Sequence, residues 1–245
     1  MLNGMSTRPI YCIFVAGGSG SRMAEALRQD KGILQAPDVP KQFLEMDGKP
    51  ILQRTIERLT EALPEAKVIT VLPAAHIGTW KEMCVQNEFN RSQILVAGGM
   101  TRFHSVQNAL AKVPDGAVVA IHDGVRPLVS VSLIRRMAQQ MEHSHALIPV
   151  TKVIDTLRWA DPAAAMDSPA PDRSRMVAVQ TPQMFWSEEI KAAYETAFDT
   201  RFTDDASVAE RAGIRVDTIQ GEYSNIKITT PEDLVLAKAI LTCKD

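Results

Sequence analysis

Strand-length apolar runs alternate with stretches of helical repeat, and this constrains what the chain can fold into more than any other feature. Ile10–Ala16 is a continuous apolar run that stops at Gly17-Gly18, the pattern of a strand buried on both faces of a parallel sheet. After Gly48-Lys49-Pro50, residues Leu52, Ile56, Leu59 and Leu63 recur at helical spacing, and Pro50 suits a first turn. Further strands are expected at Val68–Leu72, Ile94–Ala97, Val118–Ile121 and Ala146–Val150. Helical faces between them are marked by Trp80, Met83 and Cys84, by Val106, Leu110 and Val113, and by Leu133, Ile134, Met137 and Met141. Such alternation predicts an α/β fold, a mostly parallel sheet with helices on both faces.

The rhythm breaks at about 151–180. Val153–Trp159 and Met176–Gln180 read as strands around a Pro/Ala/Asp-rich stretch, Asp161–Asp172, which predicts a hairpin-like arm reaching out of the sheet. An arm of that kind cannot bury both its faces, so a partner subunit is its natural cover. Helical spacing resumes at Ile190, Tyr194 and Ala197 and at Ala206 and Ala209, followed by a strand at Arg215–Ile219 and a last helix from Pro231. The 245 residues therefore read as a single domain over 1–245 with an arm subdomain at about 151–180.

Composition excludes several classes. A net charge of −2 argues against a general nucleic-acid or anionic-membrane binder, so an anionic ligand needs a local cluster of Lys and Arg. Cys12, Cys84 and Cys243 lie far apart with no C-x-x-C pair, which disfavours structural zinc and a disulfide framework. Ile10–Ala16 is too short to span a membrane, and free thiols suit a cytoplasmic location.

Four segments carry chemistry. Ala16-Gly17-Gly18-Ser19-Gly20-Ser21-Arg22 follows the first strand, where glycines let backbone N–H groups approach a phosphate. The dinucleotide and P-loop fingerprints both fail here, so the loop is either a phosphate cradle or a plain strand-exit turn, and Arg22 favours the cradle. Lys41, in Pro40-Lys41-Gln42, gains weight only from its company, since such a lysine is commonly a solvated charge. His122-Asp123-Gly124-Val125-Arg126-Pro127 closes the central strand, and Asp123 there serves Mg²⁺, a ribose hydroxyl, or merely the cap of a turn. Arg126 is read as a structural partner for a carboxylate. Asn225-Ile226-Lys227-Ile228-Thr229-Thr230-Pro231 has the form of a short strand entering a helix, with Thr230 as N-cap and Lys227 facing away from its apolar neighbours. No histidine spacing suits a metal, and no nucleophile elbow is present.

In order along the chain stand A-G-G-S-G-S-R-M, P-K-Q-F, A-G-G-M-T-R-F-H-S-V, H-D-G-V-R-P, D-T-L-R, Q-T-P-Q-M-F, F-T-D-D-A-S and N-I-K-I-T-T-P-E-D-L. This series, from Ile10 to Leu241, resembles the 2-C-methyl-D-erythritol 4-phosphate cytidylyltransferases. The resemblance implies a Rossmann-like nucleotidyltransferase that joins CTP to an alditol phosphate with Mg²⁺ and releases pyrophosphate. It implies that Arg22 and Lys41 stabilise the pentavalent phosphorus. Lys227 and Arg173 position the methylerythritol phosphate, near Thr156 and Thr203. For the nucleotide it implies Ala16, Gly17, Gly18, Gly20, Gly99 and Ser105, with Asp123 at the metal. It also implies a homodimer whose arms cross, so that Thr156 and Arg173 serve the neighbour's site.

Val15, Met100 and Ser224 depart from the family's usual residues, and 24–39 is longer than usual. The competing readings are a ribitol-5-phosphate cytidylyltransferase, disfavoured by Arg173 and D-T-L-R, and a catalytically silent nucleotide binder, disfavoured by the joint presence of Arg22, Lys41 and Lys227. A nicotinamide-dependent oxidoreductase is disfavoured by the failed fingerprint.

Overall fold

The computed structural model describes residues 8–18, 40–159 and 170–243. Gly20, Arg22 and the whole of the long segment 24–39 lie outside the described residues. Strand β1 (Ile10–Val15) sits near the middle of an eight-stranded sheet. On one side it pairs in parallel with β4 (Lys67–Leu72), which in turn pairs with β5 (Gln93–Ala97). On the other side it pairs in parallel with β6 (Val118–Asp123), whose every residue is buried. Beyond β6 come β9 (Gln183–Trp186), β7 (Ala146–Lys152) and the edge strand β10 (Val216–Gln220). Strand β9 runs antiparallel to both neighbours, so the sheet is mixed but mostly parallel.

Alternation along the strands feeds two cores. Cys12 and Phe14 face α1 (Ile51–Ala62), α2 (Ile77–Gln86) and α4 (Val131–Gln140), which contribute Leu52, Ile56, Trp80 and Leu133. Tyr11 and Ile13 face α3 (Arg102–Leu110), α5 (Ser187–Ala193) and α6 (Asp205–Arg211). This is the period of two expected of a strand covered on both sides. A smaller cluster of Met46, Ile51, Val125 and Ile228 lies under α7 (Pro231–Thr242) and beside the hairpin of β2 (Glu45–Met46) and β3 (Lys49–Pro50). Cys12 is buried, and burial pushes its thiol up to about 12, so it is inert packing.

Helix starts follow their sequence signals. Thr230 accepts from Asp233 N while the Asp233 carboxylate accepts from Thr230 N at 2.9 Å, a capping box with Pro231 in the first turn. Ser130 caps α4 by accepting from Leu133 N at 3.0 Å.

Three expectations need correction. Val153–Trp159 is not a strand: β7 ends at Lys152, and only its last residues pair antiparallel with β8 (Val177–Val179). The segment 225–230 is not a strand either. Its alternation survives because Ile228 donates to Val125 O at 3.0 Å and buries its side chain, which turns Lys227 the other way. The helix carrying Ile190 stops at Ala193, short of Ala197, and α3 stops at Leu110, short of Val113.

Candidate active site

Strand order reverses at β1: the chain moves outward to β4 and β5, then returns to place β6 on the opposite side. Loops leaving the carboxyl ends of β1 and β6 therefore diverge and leave a crevice, the usual ligand position in an open α/β sheet. Val15 and Asp123 are paired across these two strands, so the glycine loop and the H-D-G-V-R-P loop open side by side. Gly124 N donates to Val15 O at 3.0 Å and ties them together. The fit is close, because an added Cβ would lie 3.0 Å from both Ala16 Cβ and Leu52 Cδ1 and would have to push them aside.

The crevice holds a cavity of about 420 Å³ whose wall includes Ala16, Gly17, Gly18, Lys41 and Gly99. Lys41 is held by its neighbours. Phe43 is buried and stacks on Trp80 at 5.9 Å, while Gln42 Nε2 donates to Ala16 O at 2.9 Å. The short 3₁₀ turn Lys41–Phe43 is thus fastened on both sides, and the lysine is presented to the cavity. Opposite, Ser105 Oγ donates to Thr101 O (2.9 Å) and accepts from Gly99 N (3.1 Å), fixing the loop after β5. A Cβ on Gly99 would fall 2.4 Å from His104 Cβ, so this turn requires glycine.

A second cavity of about 270 Å³ adjoins the first, and Arg102, Asp123 and Lys227 line both. Its remaining wall includes Gln180, Thr181, Gln183 and Thr203, a set of amide and hydroxyl groups. Asp123 sits at the shared boundary. Its Oδ2 lies 3.1 Å from Lys227 Nζ and 3.1 Å from Arg126 Nε, and its Oδ1 lies 3.9 Å from Arg102 Nε. Burial alone would raise the Asp123 carboxyl. Arg102, Lys227 and Arg126 outweigh that and hold it well below the usual carboxylate range, so it is ionised.

Behind it runs a hydrogen-bonded chain. Thr181 Oγ1 accepts from Asp123 N at 3.1 Å and, with the ring neutral, donates to His122 Nδ1 at 2.9 Å. His122 Nε2 then donates to Arg126 O at 3.1 Å. This arrangement needs a neutral imidazole. Burial depresses His122 to about 4, only partly opposed by Asp123.

The cations Lys41, Arg102, Arg126 and Lys227 outnumber the carboxylates Asp123, Asp204 and Asp205 at this rim by one, although the whole chain is slightly acidic. Such a rim attracts polyanions. The model of the 2-C-methyl-D-erythritol 4-phosphate cytidylyltransferase family matches residues 10–243. The chain belongs to this family.

A cytidylyltransferase of that name from Bacteroides thetaiotaomicron is 42% identical over 229 residues, covering 94% of this chain and 98% of the relative. One from Porphyromonas gingivalis is 43% identical over 233 residues, covering 95% and 97%. The crystal structure of 4-diphosphocytidyl-2C-methyl-D-erythritol synthase from Anaerococcus prevotii superposes with a TM-score of 0.77 at 28% identity, covering 97% of this chain and all of that one. No described helix is long and apolar enough to cross a membrane.

Within the family frame, the structure brings together Ala16, Gly17, Gly18, Lys41, Gly99 and Ser105 around the first cavity. Asp123 and Lys227 stand at the boundary, and Thr203 lines the second. Thr156 and Arg173 stand apart, exposed on the segments after β7 and before β8, where Arg173 Nη1 donates to Ile154 O. Sequence reading missed Arg102, Gln42 and Asp205 as individuals. Each lies inside a quoted motif, but nothing in its local pattern separates a site residue from a helix-starting Arg, a polar neighbour or a capping Asp. Met100, where the family favours an acid, is 92% exposed at the lip of the first cavity.

Proposed function

We propose that this chain transfers CMP from CTP to 2-C-methyl-D-erythritol 4-phosphate at these two cavities, giving 4-diphosphocytidyl-2-C-methyl-D-erythritol and pyrophosphate. The observation that carries the reading is the shared boundary: Asp123, Lys227 and Arg102 line both compartments, as a phosphate passing between two ligands requires. The first compartment takes CTP. Ala16, Gly17, Gly99 and Ser105 surround the cytosine, and the Gly18–Gly20 loop cradles the phosphates. The second takes the alditol phosphate, with Thr203 and the neighbouring amides and hydroxyls suited to a polyol.

The attacking group is a phosphate oxygen that is already anionic, so no general base is needed. It bonds to the α-phosphorus of CTP, the bond from that phosphorus to the bridging oxygen breaks, and pyrophosphate leaves with the electron pair. The barrier lies in bringing two anions together, and positioned cations lower it. Lys41 and Arg22 bear on the α-phosphate, and Lys227 on the alditol phosphate. Lys227 Nζ lies 3.1 Å from Asp123 Oδ2 and lines both cavities, within reach of an anion in either.

Among the described residues no group of three or more His, Cys, Asp or Glu gathers into a metal cage. Asp123 supplies one hard, ionised oxygen donor, which fits an ion completed by substrate phosphates, the usual habit of Mg²⁺. Asp123 would hold Mg²⁺, and the ion supplies further charge neutralisation at the phosphates.

Arg173 and Thr156 belong to an arm at about 151–180 that we assign to dimerisation. Ile154, Trp159, Val177 and Val179 leave an apolar surface exposed there, and a second copy would cover it while delivering Arg173 and Thr156 to the opposite site. The reading of residues 1–245 as one catalytic domain with this arm as a subdomain rests on the single continuous sheet. A cytoplasmic location suits its free thiols.

Pyrophosphate release tests the assignment, with CTP, UTP and ATP each offered against methylerythritol phosphate and ribitol 5-phosphate. CTP with methylerythritol phosphate is expected to exceed the other nucleotides by at least about 10²-fold, the scale on which a hydrogen-bonding pocket rejects a mismatched group. Preference for ribitol 5-phosphate would reassign the substrate, and CTP binding without turnover would remove the activity.

A further inference from the structure

Arg102 is counted above only as part of the wall that the two cavities share, with no chemical step of its own. It is the first residue of α3, following the cap Thr101, and so leans out of the loop that shapes the first cavity. Its Nη1 and Nη2 donate to Asp205 Oδ1 and Oδ2 at 2.7 and 2.6 Å, an end-on fork that fixes the plane of the group. That fork uses one N–H from each terminal nitrogen. The Nε–H and one outer N–H on each side remain. Nε lies 3.9 Å from Asp123 Oδ1, too far for a hydrogen bond, so among the described residues this donor edge is left for another oxygen.

Asp205 is fully buried and is itself clamped. The Tyr194 hydroxyl donates to Oδ1 at 2.7 Å, and the Tyr194 ring stacks on Phe103 at 4.6 Å. Asp204 caps α6, Gln183 Nε2 donates to Asp204 at 2.8 Å, and Gln183 Oε1 accepts from Ala206 N at 2.9 Å. Strand β9 therefore sets the start of α6, which places both Asp205 and, two residues earlier, Thr203 of the second cavity. A buried ion pair adds little stability beyond an apolar replacement. What sets this pair apart is that its arginine lines both cavities.

We propose that Arg102 is a catalytic residue that touches the phosphate in transit between the compartments, and that Asp205, braced by Tyr194, is the positioning residue that aims it. This rests on the cytidylyl transfer assigned above. A lysine cannot replace it, because one ammonium cannot span both Asp205 oxygens and keep an in-plane donor for phosphate.

The test uses the full-length chain with CTP, methylerythritol phosphate and Mg²⁺. Steady-state turnover is measured per folded protein, and CTP affinity by calorimetry, for wild type, Arg102→Lys, Asp205→Asn and Tyr194→Phe. Arg102→Lys and Asp205→Asn are expected to lower kcat at least about tenfold, within the range for losing one preorganised contact, while CTP Kd stays within about threefold. Tyr194→Phe should show the same pattern with a smaller loss. Wild-type kcat in Arg102→Lys overturns the proposal, as does a loss confined to CTP affinity or to the fraction folded. Should Asp205→Asn fail to fold, Arg102→Lys and Tyr194→Phe decide by the same criteria. An inactive wild type in this assay would instead sink the assigned reaction.

Discussion

His122 shows how one residue's environment settles its chemistry. A histidine beside a candidate catalytic carboxylate invites an acid–base role, yet burial holds it neutral against the opposing pull of Asp123 and of its own hydrogen bonds. Its folded value of about 4 lies below the ordinary 6.5, so between these values the unfolded chain binds the extra proton. Stability is therefore complete above about pH 6.5 and falls as pH drops toward 4, by on the order of 3 kcal/mol from this group. Urea denaturation midpoints across that window should fall with acidity, and a His122→Asn variant, though less stable, should show a flatter slope. An unchanged wild-type midpoint from pH 6.5 to 4.5 would refute this. Histidine spacing in the sequence argued against a metal-binding role for His122, but did not show it as a strut. Its partner Thr181 is far away in the chain, and only the insertion of β9 beside β6 brings them together.

At the scale of elements, the short turn Lys41–Phe43 carries more than its length suggests. The lysine lines the first cavity, held there by the anchoring of Phe43 on Trp80 and of Gln42 on Ala16. Phe43→Ala is expected to lower stability by about 3–5 kcal/mol, the usual cost of truncating a buried Phe. In the fraction that remains folded, it should also reduce kcat by loosening Lys41. A variant of wild-type stability would show that the stack does not hold the turn. The β-α rhythm from β1 to β7 was readable because each element has a strong period of its own. Strand β9 was not, since Thr181-Pro182-Gln183 reads as a turn and its antiparallel placement depends on β6 and β7. Segment 225–230 misled in the opposite sense. Its period of two comes from burial of Ile228 against Val125 rather than from pairing in a sheet.

The site's cations come from four distant segments, and strand order is what gathers them at one rim. Motif order along the chain could name those segments, but their meeting point follows only from the reversal at β1. The exposed Ile154, Trp159, Val177 and Val179 predict self-association through the arm. Sedimentation of the wild type should give a dimer, and Ile154→Asp combined with Val177→Asp should give a monomer with turnover reduced at least tenfold or so, since one missing substrate contact has that scale. A wild-type monomer with full activity would remove the arm from the site.

The boundary between the two compartments carries the account, and Lys227 is its most direct probe. Turnover of CTP and methylerythritol phosphate by Lys227→Ala should fall at least about 10²-fold, the scale of losing a preorganised charge, while CTP Kd changes by less than about threefold. A Lys227→Ala enzyme with near wild-type kcat would contradict the claim that this rim is where the phosphate changes hands.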